Sequence, residues 1–169
     1  FETRDAEVLA FRLDRRGAFS STLELGTQLG LSTSPVTALR MAADGRDAIL
    51  IIDQLDAVSL ASGRLSERYD VIAELIQEAV SVDAMRVILA CRLFDVENDH
   101  RIRRLAARED VERLTVGPLP DEAVTAAVSA MRLDPNLLTG SQRALLTSPL
   151  NLVLLETIAG QPGALNFTS

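Results

Sequence analysis

The chain has 169 residues, 47% of them hydrophobic and 24% charged, with a formal net charge of -7. That balance excludes a disordered chain, and the length suffices for a domain with a sizeable core. The acidity argues against nonspecific nucleic-acid binding, which needs clustered cations.

All 17 basic residues are Arg, and aromatic residues make up only 4%. Leu, Val, Ile and Ala must therefore fill the core. No stretch approaches the roughly 20 apolar residues that span a bilayer, and no signal peptide opens the chain. The single cysteine, Cys91, cannot form an internal disulfide. Together these features point to a cytoplasmic, reducing compartment and no membrane partner, with Cys91 as a buried structural thiol. The first residues, Phe1-Glu2, read as the interior of a longer protein.

Val8 to Leu13 is a short apolar run that predicts a strand. Ser21 and Glu24 form a candidate capping box for a short helix through Leu29, which Gly30 would close. Ser34-Pro35 opens a second helix as N-cap and first-turn proline, and Asp44-Gly45 ends it. Ala48 to Ile52 is a continuous apolar run, as in a parallel strand buried on both faces. From Glu67 to Val80, the residues Val71, Ile72, Leu75, Ile76, Ala79 and Val80 share one helical stripe. Arg86 to Cys91 is another buried-strand candidate. Asp95 to Ala107 reads as an Arg-rich surface helix, and Val111 to Val116 as a last strand stopped by Gly117-Pro118.

Strands alternating with helices argue for a parallel sheet with right-handed crossovers. After Pro118 only helical patterns remain: Pro120 to Met131, a helix opened by Thr139 or Ser141, and Ser148-Pro149 to Ala159. The expected organisation is an α/β core over 1–118, a small all-helical subdomain over 119–160 and a loose tail over 161–169.

The sequence Ile49-Leu-Ile-Ile-Asp53-Gln54-Leu55-Asp56 delivers two carboxylates at the end of a buried strand. Ligands of open parallel sheets bind at such carboxyl ends. One acid there can hold Mg²⁺ through water, and a second, three residues on, can position an attacking water. The plainer reading is a strand ending in a turn with Asp residues as caps. Arg92 ends the next buried strand and could face a terminal phosphate, or could be a surface Arg. Arg101, Arg103, Arg104, Arg108 and Arg113 read as a solvated face paired with Glu97, Asp99, Glu109 and Asp110. No zinc spacing and no Ser/His/Asp arrangement is visible.

With these motifs in order, the chain resembles the STAND class of P-loop ATPases, close to NACHT and AAA-type proteins. The Ile49–Asp56 segment looks like a Walker B strand. The resemblance implies Asp53 as the Mg²⁺ residue and Asp56 as the catalytic acid. Val87 to Arg92 looks like a sensor 1 strand with Arg92 in the phosphate-sensing place. Val116-Gly-Pro-Leu119, followed by Asp121-Glu122, resembles the passage into a helical lid. Ser148-Pro149-Leu150 resembles the lid motif whose proline packs against adenine, which implies Pro149 and Leu150 as nucleotide contacts. Members of the class bind ATP or ADP with Mg²⁺, work with other domains of their own chain and self-associate when switched on.

The Walker A loop needs a Lys to reach the β- and γ-phosphates, and the chain has none. The likeness therefore implies a P-loop NTPase sheet without its first strand, which is central in the family. A slot should open beside the last strand, or that strand should shift to close it. Two further readings compete: a non-catalytic interaction module derived from such a domain, and a response-regulator-like α/β domain. The latter lacks an acidic pair near Val8 to Asp14.

Overall fold

The computed structural model describes residues 6–63 and 65–167. The chain divides into two compact units, Phe1–Arg113 and Leu114–Ser169.

The first unit is built on three parallel strands in sequential order. They are β1 (Glu7–Arg12), β2 (Ala48–Asp53) and β3 (Met85–Leu89). The register aligns Phe11 with Ile52 and Ile52 with Leu89, so the three carboxyl ends lie side by side. Helices α1 (Thr22–Gln28) and α2 (Pro35–Ala43) connect β1 to β2. Ser21 and Ser34 cap them, accepting hydrogen bonds from the N–H groups of Glu24 and Thr37. The capping box at α1 is displaced, because the Glu24 carboxylate accepts from Ser20 rather than Ser21. Asp44 and Gly45, at φ 48 and 83, turn the chain out of α2 through the left-handed region, where glycine pays no Cβ penalty.

Helix α3 (Tyr69–Val80) carries the chain from β2 to β3. Its predicted stripe is real for Ile72, Leu75, Ile76 and Ala79, which are buried, while Val80 faces out. With Leu13, Leu25, Leu39, Leu50 and Ile52 they form the core of this unit. Burying each of these large aliphatic side chains contributes about 1.5–3 kcal/mol before chain entropy is set against it.

The sheet is covered unequally. Leu9, Phe11, Leu50, Ile52, Val87 and Leu89 pack into the core. On the other face, in register, lie Val8, Ile49 and Arg86, then Ala10, Ile51 and Ile88. Ile49 and Ile51 are half-buried, and Val8 and Ile88 are 54% and 49% exposed. The expectation that β2 and β3 are buried on both faces is therefore corrected: an apolar run fixes strand identity, but burial depends on what covers each face.

Two further expectations change. Asp95 to Ala107 is two helices, α4 (Leu93–Asn98) and α5 (His100–Ala106), broken where Asp99 adopts an extended conformation and caps α5 through the Arg101 N–H. Val111 to Val116 forms no strand, and Leu114 and Val116 are 87% and 84% exposed. β-propensity needs a neighbouring strand to be realised, and this segment joins no ladder among the described residues.

The second unit holds α6 (Asp121–Ala130), α7 (Gly140–Leu146) and α8 (Pro149–Ile158) around Val124, Val128, Leu138, Leu146, Leu152 and Leu155. Residues 161–167 are fastened rather than loose. Gln142 completes a capping box with Thr139 at the start of α7 and donates through Nε2 to the carbonyls of Leu165 and Phe167, both at 2.8 Å. We expect Gln142→Ala to cost about 2 kcal/mol in chemical denaturation, the sum of a lost cap and lost side-chain hydrogen bonds. Amide exchange at residues 161–167 should accelerate with it; unchanged exchange there would show that the tail is held by other contacts.

Candidate functional site

The parallel register decides which side chains meet. Arg12 ends β1 and Asp53 ends β2 as its register partner. The Arg12 guanidinium is bound mainly to Asp14, and its Nε lies 3.9 Å from the Asp53 carboxylate. Sequence reasoning missed Arg12, because the sequence does not say which strand lies beside β2.

Beyond Asp53 the chain turns sharply. Gln54 adopts φ 60, ψ 48, a left-handed conformation that a non-glycine residue enters at some cost. The Gln54 N–H donates back to the Asp53 side chain at 2.8 Å. The Leu55 N–H then donates to the Ala90 carbonyl at 2.9 Å, and the Ala90 N–H to the Ile52 carbonyl at 3.0 Å. These bonds prolong the β2–β3 ladder past the strands and seat Leu55, which is 1% exposed, in the core. A 3-10 turn over Leu55–Val58 follows and draws Asp56 inward.

Asp56 is 5% exposed. One of its oxygens lies 3.1 Å from the Nε of Arg92. The other is buried and has no hydrogen-bond partner among the described residues. Arg92, the N-cap residue of α4, is itself 65% exposed, so its remaining N–H groups face solvent. The structure thus brings Asp53, Asp56 and Arg92 to one edge of the sheet. An unpartnered buried carboxylate oxygen beside an open guanidinium is costly unless a further donor arrives. The arrangement can accept a hydrogen bond from a water while presenting a cation to an anion.

The carboxylates do not build a closed metal cage. Asp53 is 40% exposed, with one oxygen engaged by Gln54. No group of three or more His, Cys, Asp or Glu side chains is placed to hold a metal ion among the described residues. Asp53 could hold Mg²⁺ only through water and with further oxygens from a phosphate, since that ion dehydrates reluctantly and seldom uses all-protein sites.

Behind the site, buried polar groups secure the loop that leaves Asp56. Asp99 is fully buried on its side chain and accepts from the N–H groups of Leu60 and Arg101 and from the Arg101 guanidinium. Arg101 also donates to the carbonyls of Val58 and Ser66 and stacks 4.2 Å over the Tyr69 ring. Asp95, also buried, accepts from the Ser62 hydroxyl and leaves its second oxygen unpartnered. A Cβ on Gly63 would run into backbone atoms of Ser59 and Ala57, so the loop closes only around glycine. Sequence reasoning took Arg101 and Asp99 for parts of a solvated face; the i to i+4 spacing of Asp95 and Asp99 on an apparently exposed helix was the available signal.

Pro149 and Leu150, the expected nucleotide contacts, stand in the second unit at the first turn of α8. Both are exposed, and Leu150 is 66% so. Ser148 occupies the N-cap position without a side-chain capping bond. No helix among the described residues is long and apolar enough to cross a membrane. Neither protein-family models, curated proteins nor solved structures gave a match to the chain.

Cys91 lies between the Ala90 ladder and Arg92. Burial, reinforced by the negative charges of Asp56 and Asp95, pushes its thiol up to about 12. It is therefore a protonated, inert thiol at neutral pH, and a reporter of its neighbours. We expect sluggish alkylation of Cys91 at pH 8 and faster alkylation in Asp56→Asn; equal rates would remove Asp56 from its surroundings.

Burial alone would raise the Asp99 carboxyl. The bonds from Arg101 and Leu60 outweigh it and hold the group well below the usual carboxylate range. Depression in the folded state means its stabilisation is present above the unfolded value near 3.9 and is lost as pH falls below it. Asp99→Asn should flatten the stability curve below about pH 4. Asp99→Ala should destabilise the first unit by about 3 kcal/mol at pH 7, as when a buried pair loses one partner. A variant as acid-sensitive as the parent would contradict this.

Proposed function

We propose that this chain supplies the acidic half of the nucleotide site of an ATP-dependent switch of the STAND class, with the phosphate-binding loop carried outside these residues. The observation that carries the reading is the Asp56–Arg92 pair at 3.1 Å, with a second buried Asp56 oxygen left unpartnered at the carboxyl edge of a parallel sheet. In this reading the free Asp56 oxygen accepts a proton-bearing water and orients it. Arg92 swings its exposed N–H groups toward a terminal phosphate and stabilises charge that develops there. Asp53 would hold Mg²⁺ through water, and the ion would supply charge neutralisation for the phosphates.

The sheet itself supports the reading. All-parallel sheets are normally covered on both faces. Here one face keeps Val8 and Ile88 half-exposed, and the outer edge of β3 has no partner among the described residues. The strand-like segment from Val111 to Val116 also stays unpaired. A missing strand beside β3, followed by a helix over the open face, accounts for all three features together. Self-association and contact with other domains of a longer chain follow from the same resemblance.

A second reading, a docking module derived from such a domain, is favoured by the absence of any Lys. The gene sequence upstream separates the two: a Gly-rich loop ending in Lys-Ser or Lys-Thr supports the switch.

Calorimetric titration with Mg-ATP tests the division of the site. These 169 residues alone should give no saturable heat at millimolar nucleotide, and the product of the whole gene should bind. Micromolar binding by the chain alone would overturn the account, because most phosphate contacts come from the absent loop.

A further inference from the structure

Helix α4 is attached by polar contacts rather than by an apolar face. Its one buried residue is Asp95. Leu93 and Phe94 are 49% and 57% exposed, and of its apolar side chains only Val96 packs against the core, partly buried. With 6 residues it completes less than two turns, and a helix so short has no stability of its own. The burial that fastens α3 to the sheet is almost missing here.

Two side-chain contacts tie α4 to the loop that leaves β2. Arg92, its N-cap residue, lies 3.1 Å from Asp56, and Asp95 in its first turn accepts from the Ser62 hydroxyl. From α5, Arg103 adds a bond of 3.3 Å to the Glu97 carbonyl. Asp56 and Asp95 each keep a buried oxygen without a hydrogen-bond partner among the described residues, which offsets part of what these contacts contribute. The ends of the segment are fixed more firmly. Ala90 is bonded through both backbone groups to Ile52 and Leu55. Asp99 holds the Leu60 and Arg101 N–H groups, and Ile102, 2% exposed, carries α5 into the core.

We propose that α4 is a strap that opens as a unit between Ala90 and Asp99, and that Arg92 on Asp56 and Ser62 on Asp95 are the two clasps that close it. Segments with few buried apolar contacts open locally at a lower free energy than the whole fold. Opening releases the Asp56 carboxylate, slackens the loop from Ser59 to Gly63 and uncovers Cys91, while β2, β3 and α5 keep their places. Whatever draws Arg92 away from Asp56 favours the open form. The state of one side chain at the sheet edge is thereby passed to Leu93 and Phe94 on the surface. The strap needs no nucleotide, so this inference stands apart from the nucleotide site.

The test is native-state hydrogen exchange on the chain and on its Arg92→Gln and Ser62→Ala variants. Both residues are exposed, so neither substitution opens the core. In the parent, the hydrogen-bonded amides of α4 should exchange about 100-fold faster than those of α5, as a unit that opens below the global transition. Each variant should speed the α4 amides about tenfold further, the effect of one lost hydrogen bond, and leave β2, β3 and α5 unchanged. Alkylation of Cys91 gives a second readout. Ser62→Ala alters no charge beside the thiol, so faster alkylation there reports opening rather than a change in acidity. Exchange of α4 and α5 at one common rate overturns the proposal, because α4 would then belong to the global fold. So does α4 exchange, fast or slow, that is indifferent to both variants, or Cys91 alkylation unmoved by Ser62→Ala.

Discussion

Parallel pairing in strict register is the constraint on which the first unit depends. Parallel strands must be joined by crossovers, so all three run the same way and their carboxyl ends reach one edge. That brings Arg12, Asp53 and Arg92, separated by up to 80 residues of sequence, to neighbouring positions. The Leu55–Ala90 and Ala90–Ile52 hydrogen bonds extend the pairing past the strands. They convert a general closeness into the particular meeting of Asp56 with Arg92. Shift β3 by one residue and the side chains that follow it exchange faces.

A parallel sheet also demands cover on both sides. The helices α2 and α3 satisfy one face, against β1, β2 and β3. The opposite face keeps aliphatic residues partly exposed, and the outer edge of β3 has no partner among the described residues. Backbone groups on such an edge seek a partner, and apolar surface on a parallel sheet seeks a layer. Among the described residues this face keeps Val8 and Ile88 exposed and the Val111–Val116 segment joins no ladder. The Asp99–Arg101 contacts hold the loop that leaves Asp56 from behind.

Much of this was legible in the residues. Ala48 to Asp53 announced a strand by its unbroken aliphatic run, and Ser34-Pro35 with Asp44-Gly45 marked both ends of α2. That Asp53, Asp56 and Arg92 lie at one edge of the sheet followed from their position relative to those strands. What escaped was whatever depended on partners. Val111 to Val116 has strand composition, but composition supplies no neighbour. Asp95 and Asp99 looked solvated because burial of a carboxylate is decided by distant donors, here the Ser62 hydroxyl, the Leu60 N–H and Arg101. Arg12 was invisible until the register of β1 against β2 fixed its neighbour. The tail to Phe167 was read from its Gly and Pro residues, whereas Gln142 on α7 determines its place.

The central claim is that Asp56 works on water while binding of the nucleotide rests on other groups. Single-turnover hydrolysis of Mg-ATP by the whole gene product, compared with its Asp56→Asn variant, tests this most directly. The account requires that the variant bind Mg-ATP as the parent does and lose turnover by about 100-fold or more, the range of a missing general base. Undiminished turnover in Asp56→Asn, or loss of binding with turnover per bound nucleotide unchanged, would contradict it.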